Sequence, residues 1–77
     1  MFEVYVIQSK IKNYIYVGLT NNLSRRLTEH QNGLNKTTKP YRPFEVILSE
    51  KYPTRIEARN REKYLKSGSG KEWIKLQ

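Results

Sequence analysis

The 77-residue sequence contains no cysteine and a single histidine. The first absence excludes a disulfide scaffold and any thiolate metal site, and it suits a reducing compartment. The second excludes a structural zinc cage built from histidine ligands. No apolar run approaches the roughly 20 residues of a membrane span, nor does the start read as a signal-peptide core. The expectation is a soluble, cytoplasmic protein with no membrane partner. Acidic residues are also few, 7 against 15 basic, for a net charge of +8.

A charge of that size on a small chain points to a polyanionic partner, and nucleic acid is the usual one. The basic excess is not a tail. Residues 1–38 hold 5 basic and 2 acidic side chains, and residues 39–77 hold 10 and 5. Such spreading predicts a charged surface on a folded domain. At this length the expectation is one domain, residues 1–77, with room for one small core.

Residues 2–8 are β-branched and aromatic and predict a strand. A polar connection at residues 9–13 is of hairpin length, and residues 14–18 (Tyr-Ile-Tyr-Val-Gly) supply the returning antiparallel strand. Alternation puts Tyr14, Tyr16 and Gly18 on one side of their strand, and Tyr5 with Glu3 and Ile7 on one side of the other. Asn21 or Asn22 is the expected N-cap of a helix running to about Gln31, closed by Asn32-Gly33. In projection Leu23, Leu27 and Leu34 form its apolar stripe. Arg26 and His30 lie beside that stripe and turn inward, while Arg25 and Glu29 point away.

Residues 35–43 form a basic loop with two prolines. Lys36, Lys39 and Arg42 in it are either solvated or track a nucleic-acid backbone, since phosphate contacts position a strand without reading it. Residues 44–49 predict a third strand. Thr54 with Glu57 forms a capping-box pattern for a second helix running to about Lys66. Ser67-Gly68-Ser69-Gly70 reads as a break before a short helix at residues 71–76. The overall expectation is an α+β fold, a three-stranded antiparallel sheet flanked by helices.

On the second helix Ala58, Glu62 and Leu65 share one face. Burying a carboxylate among apolar neighbours is costly unless it is paired or ligates a metal. Glu62 is therefore either half of an ion pair, with Arg26 or Arg61, or a metal or catalytic group.

Taken in order, these residues resemble the GIY-YIG nuclease family. Val4-Tyr5-Val6 stands at the GIY position, Tyr16-Val17-Gly18 at YIG, and Asn22-Leu23-Ser24-Arg25-Arg26 matches the family's N-L-x-x-R and selects Arg26. His30 stands at the family's His/Tyr position and Glu62 at its glutamate. The match is greatest to small stand-alone bacterial members, which often share the Thr-Arg-x-Glu-Ala and Gly-Lys-x-Trp-Ile segments found here at residues 54–58 and 70–74. The sequence departs from the pattern in three places. The first triplet has no glycine, Leu19 follows YIG where many catalytic members carry lysine, and a late asparagine has no counterpart.

The resemblance implies metal-dependent hydrolysis of a DNA phosphodiester, with Mg²⁺ (or Mn²⁺) as cofactor. It implies Tyr5 as general base or its partner, with Tyr16 beside it, Arg26 on the phosphate, His30 as orienting or relay group, and Glu62 on the metal. Gly18 would allow close approach at the strand end. An unperturbed phenol, with a pKa about 10, is a poor base at neutral pH, so a nearby cation has to lower it. Branched, nicked or damaged DNA, and thus DNA repair, is the expected context, with target choice left to DNA structure or to a protein partner. The alternative is a nucleic-acid-binding module that keeps the fold without turnover.

Overall fold

The computed structural model describes residues 1–77. Its order is β1 (Phe2–Ser9), β2 (Ile15–Thr20), α1 (Leu23–Gln31), a 3-10 turn (Lys39–Tyr41), β3 (Phe44–Tyr52), α2 (Arg55–Lys66) and α3 (Gly68–Lys75). The three strands form one antiparallel sheet in the order β2-β1-β3. The predicted α+β architecture is thus the observed one. β1 is central, and accordingly Val4, Tyr5, Val6 and Ile7 are buried in succession, with alternate side chains serving opposite faces.

Val4 and Val6 join Val17, Ala58, Leu65 and Ile74 in an aliphatic core beneath α2 and α3. Tyr5 and Ile7 join Phe44 on the opposite face, flanked by Tyr14, Tyr16, Leu23 and Leu27. The register sets Tyr5 opposite Gly18 and Ile7 opposite Tyr16. Directly opposed residues project to the same side of a sheet, so Tyr5, Tyr16 and Gly18 share one face.

Several boundaries differ from expectation. β2 runs two residues past Gly18, leaving Tyr14 outside it, and β3 extends to Tyr52. The β3 register slips at Ile47, because Val6 pairs with Leu48 and Ile7 with Val46; this is a bulge with one unpaired residue. Ser67–Gly70 is not a break. Ser67 caps α3 by accepting from the Gly70 N–H, so the low-propensity segment becomes the helix's first turn. A side chain at position 70 would collide with the Tyr64 carbonyl and the Leu65 backbone, so only glycine lets α3 turn back this tightly on α2. Leu34 is 71% exposed and leaves the α1 stripe, because the chain turns away at Gly33 with φ +76°.

Two devices hold α1 in place. The Asn22 side chain accepts from the Arg25 N–H at 3.1 Å, as an N-cap should. At the other end the Gln31 amide bonds both backbone groups of Phe44, donating to its carbonyl and accepting from its N–H at 2.8 Å each. That pair of bonds fastens the end of α1 to the start of β3.

Candidate active site

The central strand places Tyr5 in the sheet interior, where it is 1% exposed. Its ring lies across Gly18, so closely that a Cβ at position 18 would sit inside the phenol. The glycine of Tyr16-Val17-Gly18 is therefore explained by contact: it makes room for the Tyr5 ring at the opposed position. The Tyr5 hydroxyl reaches His30 Nε2 at 2.9 Å. His30 is fully buried, as its inward projection predicts, and its ring centroid lies 5.0 Å from that of Tyr16.

On its other side, His30 Nδ1 meets Thr38 Oγ1 at 2.9 Å. The Thr38 hydroxyl donates to the Asn35 carbonyl at 3.4 Å, so its oxygen is free to accept from Nδ1–H. The hydrogen-bond network thus assigns the proton to Nδ1 and leaves Nε2 to accept from Tyr5. Thr38 is buried within the basic loop. It is a site residue that sequence reasoning misses, since nothing in the Asn-Lys-Thr-Thr-Lys segment separates it from Thr37.

Arg26 is the more buried of the two arginines, its side chain 32% exposed against 61% for Arg25. Arg26 faces the Tyr5 hydroxyl and favours its phenolate, but it does not prevail. Burial dominates and pushes the phenol up to about 12. The expectation that a cation lowers the Tyr5 pKa is thus corrected within the protein itself. His30 is shifted down, first by burial and then by the Arg26 charge, so its imidazole is neutral at pH 7.

Glu29 does not point away. Its carboxylate accepts from Arg26 Nη1 at 3.0 Å and lies 3.6 Å from Arg25, and the bond to Arg26 raises that residue's pKa. Projection onto an apolar stripe misses such a partner because i,i+3 neighbours meet at the stripe's edge.

Glu62 is buried on α2, as its place between Ala58 and Leu65 predicts. Neither predicted ion pair forms. Arg61 binds Glu50 at 2.8 and 3.1 Å and stacks over Trp73, while Arg26 is taken by Glu29. The ion-pair partner of Glu62 is Lys66 Nζ at 3.2 Å, one turn along the helix. The Glu62 charge nevertheless reaches Tyr5, where it contributes to the upward shift of the phenol.

The donor set for a metal is sparse, since no group of three His, Cys, Asp or Glu side chains gathers anywhere. The fit is to a hard cation held by one carboxylate that takes its remaining ligands from substrate phosphate and water.

Lys36, Lys39 and Arg42 do not join this cluster. All three are exposed, and the Arg42 guanidinium folds back over Gly33 at the end of α1. A separate cavity of about 350 Å³ opens beside Arg26, with Leu19 among its lining residues. No helix is long and apolar enough to cross a membrane.

Comparison with known proteins matches this arrangement. The GIY-YIG catalytic domain model covers residues 1–75. A UPF0213 protein of Clostridium perfringens is 32% identical over 77 residues, 99% of this chain and 82% of its own length. The UPF0213 protein YazA of Bacillus subtilis is 40% identical over 63 residues, 80% of this chain and 63% of its own. The solution NMR structure of the UPF0213 protein BH0048 from Bacillus halodurans is similar at a TM-score of 0.58 and 29% identity, covering 96% of this chain and 82% of that one. Strand triplets, helix arginine, buried histidine and late glutamate thus fall within one matched span, and the chain belongs to the GIY-YIG catalytic domain family, whose members are in general nucleases.

Proposed function

We propose that this chain is a metal-dependent endonuclease that hydrolyses phosphodiester bonds in DNA. The observation that carries the reading is the Tyr5 hydroxyl, held at 2.9 Å from a neutral His30 and facing Arg26. A phenol with its own proton acceptor and a neighbouring guanidinium is arranged for base catalysis. Tyr5 passes its proton to His30 Nε2 as it takes one from water. The water oxygen bonds to phosphorus, the P–O3′ bond breaks, and the 3′ oxygen leaves with a proton returned through solvent or His30. With Tyr5 at about 12 and His30 shifted down, full proton transfer in the resting protein is uphill. Proton movement is therefore concerted with attack.

Arg26 binds the phosphate oxygens, a task its forked donors suit better than an ammonium would. Tyr16 lies beside both Tyr5 and His30, where its hydroxyl would hydrogen-bond on the nucleophile's side. Glu62 would hold Mg²⁺ (or Mn²⁺), and Lys66 is a solvent-exposed partner that the ion can displace. When bound, such an ion supplies charge neutralisation and Lewis acidity at the phosphate. Branched, nicked or damaged DNA is the proposed target, with a protein partner as the source of further specificity.

The test is nicking of supercoiled plasmid with Mg²⁺ or Mn²⁺ by wild type, Glu62→Ala and Arg26→Ala. Loss of nicking in both variants is the expected result. Equal nicking by all three proteins would mean a contaminating nuclease and remove the proposal.

One observation favours a second reading, a nucleic-acid-binding module without turnover. Tyr5 is sealed from solvent and its phenol is pushed up rather than down, and Leu19 provides no cation to reverse this. That reading predicts salt-dependent binding with no cleavage of plasmid, flap or junction. Cleavage that disappears in Glu62→Ala excludes it.

A further inference from the structure

We propose that the cavity between α1 and α2 is a second phosphate subsite, in which Arg55 and Arg25 hold a backbone phosphodiester next to the one engaged at Tyr5. The inference rests on the nuclease reading above and gives a role to Arg55, which lies in the Thr-Arg-x-Glu-Ala segment, and to Arg25, at a variable position of N-L-x-x-R; the resemblance assigns neither of them one. The cavity has a volume of about 350 Å³, and its lining includes Phe2, Leu19, Arg25, Arg26, Glu29 and Arg55. Three arginines from two helices thus line one space, with a single acidic residue among them.

Charge and pairing decide what that space suits. Glu29 is shared by Arg25, at 3.6 Å, and Arg26, at 3.0 Å. Arg55 has no carboxylate within ion-pair distance and is solvent-exposed. With three arginines against one glutamate, the lining carries a net charge of +2, on side chains whose flat, forked donors match phosphate oxygens. Thr20 and Asn21 add polar groups to the lining, and Phe2 and Leu19 add apolar ones against which a sugar can rest.

Position relative to the reacting group separates this subsite from the catalytic one. Tyr5, Tyr16, His30 and Glu62 do not line the cavity. Arg26 is the one residue that belongs to both, since it also faces the Tyr5 hydroxyl. A strand whose scissile phosphate meets Arg26 at Tyr5 therefore has an adjacent phosphate directed toward Arg25 and Arg55. Leu19 contributes no charge here, and Arg55 is the cation of this wall.

The experiment measures binding of a fluorescent DNA oligonucleotide by anisotropy, without divalent metal, across a series of salt concentrations. Wild type is compared with Arg55→Gln, Arg25→Gln and Lys63→Gln, the last an equal change of charge on the exposed side of α2. Removing one phosphate contact lowers the slope of log K against log[salt] by about 0.7–0.9. Arg55→Gln is expected to show that drop and several-fold weaker binding, with Arg25→Gln in the same direction and Lys63→Gln close to wild type.

Arg55→Gln behaving like Lys63→Gln overturns the subsite. An Arg55→Gln penalty that vanishes when the oligonucleotide's 5′-phosphate is removed also overturns it, because the ligand is then a strand end and not an internal phosphodiester. Absence of salt-dependent binding by wild type would instead remove the nucleic-acid reading itself. All variants lie on exposed helix surface, and far-ultraviolet circular dichroism confirms that each is folded before comparison.

Discussion

The two faces of the sheet share a single central strand yet are built from different materials. Beneath α2 and α3, Val4, Val6, Val17, Ala58, Leu65 and Ile74 make an aliphatic core with no polar obligation. On the opposite face, Tyr5 and Ile7 from the same strand meet His30, Thr38 and Phe44, and the buried polar atoms are joined in a chain from Tyr5 through His30 to Thr38. No buried side-chain nitrogen or oxygen is left without a partner. The difference teaches a division of labour: one face supplies nonspecific burial that holds the sheet, and the other holds a few polar groups in fixed geometry. Glu62 is the exception that crosses the division, a carboxylate on the helix of the aliphatic side whose charge reaches Tyr5.

The comparison breaks most visibly on the aliphatic side. Leu65 is fully buried, and Leu65→Ala is expected to cost about 2–5 kcal/mol through reduced burial and a cavity. Urea unfolding measures this. Metal-dependent cleavage by the fraction that remains folded should keep the wild-type pH profile, and a changed profile would show that the faces are not separable.

A smaller effect is expected on the polar side. Thr38→Val leaves His30 Nδ1–H without a partner at a cost of about 1–3 kcal/mol, again read by urea unfolding. His30 also makes wild-type stability depend on pH. Its folded pKa lies below the ordinary 6.5, so the unfolded chain binds the proton more readily. The stabilisation is complete above 6.5 and is lost as pH falls from there. Glu50, held down by Arg61 from its ordinary 4.5, adds its own decline only at more acidic pH. Unfolding midpoints compared at pH 7.5 and 5.5 isolate the histidine, and an unchanged midpoint would contradict its burial as a neutral base.

Much of this site is legible in the sequence, and what is not has a physical reason. Local patterns suffice to choose Arg26 over Arg25, to turn His30 inward and to place Glu62 on the buried face of its helix, because each is a statement about one helix's own periodicity. They do not contain Thr38 or the paired bonds from Gln31 to Phe44, since both depend on how a loop and a strand return across the sheet. The partner of Glu62 escapes the pattern for a related reason. Arg61 and Arg26 are the obvious cations, but Glu50 and Glu29 engage them. The serine-glycine segment after α2 reads as a break on propensity alone, yet tight packing against α2 makes glycine the residue that permits the helix. The strand alternation is correct for each strand separately; only register can show that Tyr5, Tyr16 and Gly18 face the same way.

The central claim is that the Tyr5 hydroxyl, with His30 as its proton acceptor, performs the chemistry on the polar face. The most direct measurement is the rate of Mg²⁺-dependent DNA cleavage as a function of pH for wild type and Tyr5→Phe. Wild-type cleavage should fall on the acid side as His30 gains its proton, at a pH below the ordinary histidine value of 6.5 because burial shifts it down. Tyr5→Phe, folded by circular dichroism, should be slower by about 10²–10⁴-fold at every pH. Cleavage by Tyr5→Phe at the wild-type rate, with the same acid limb, would contradict the account.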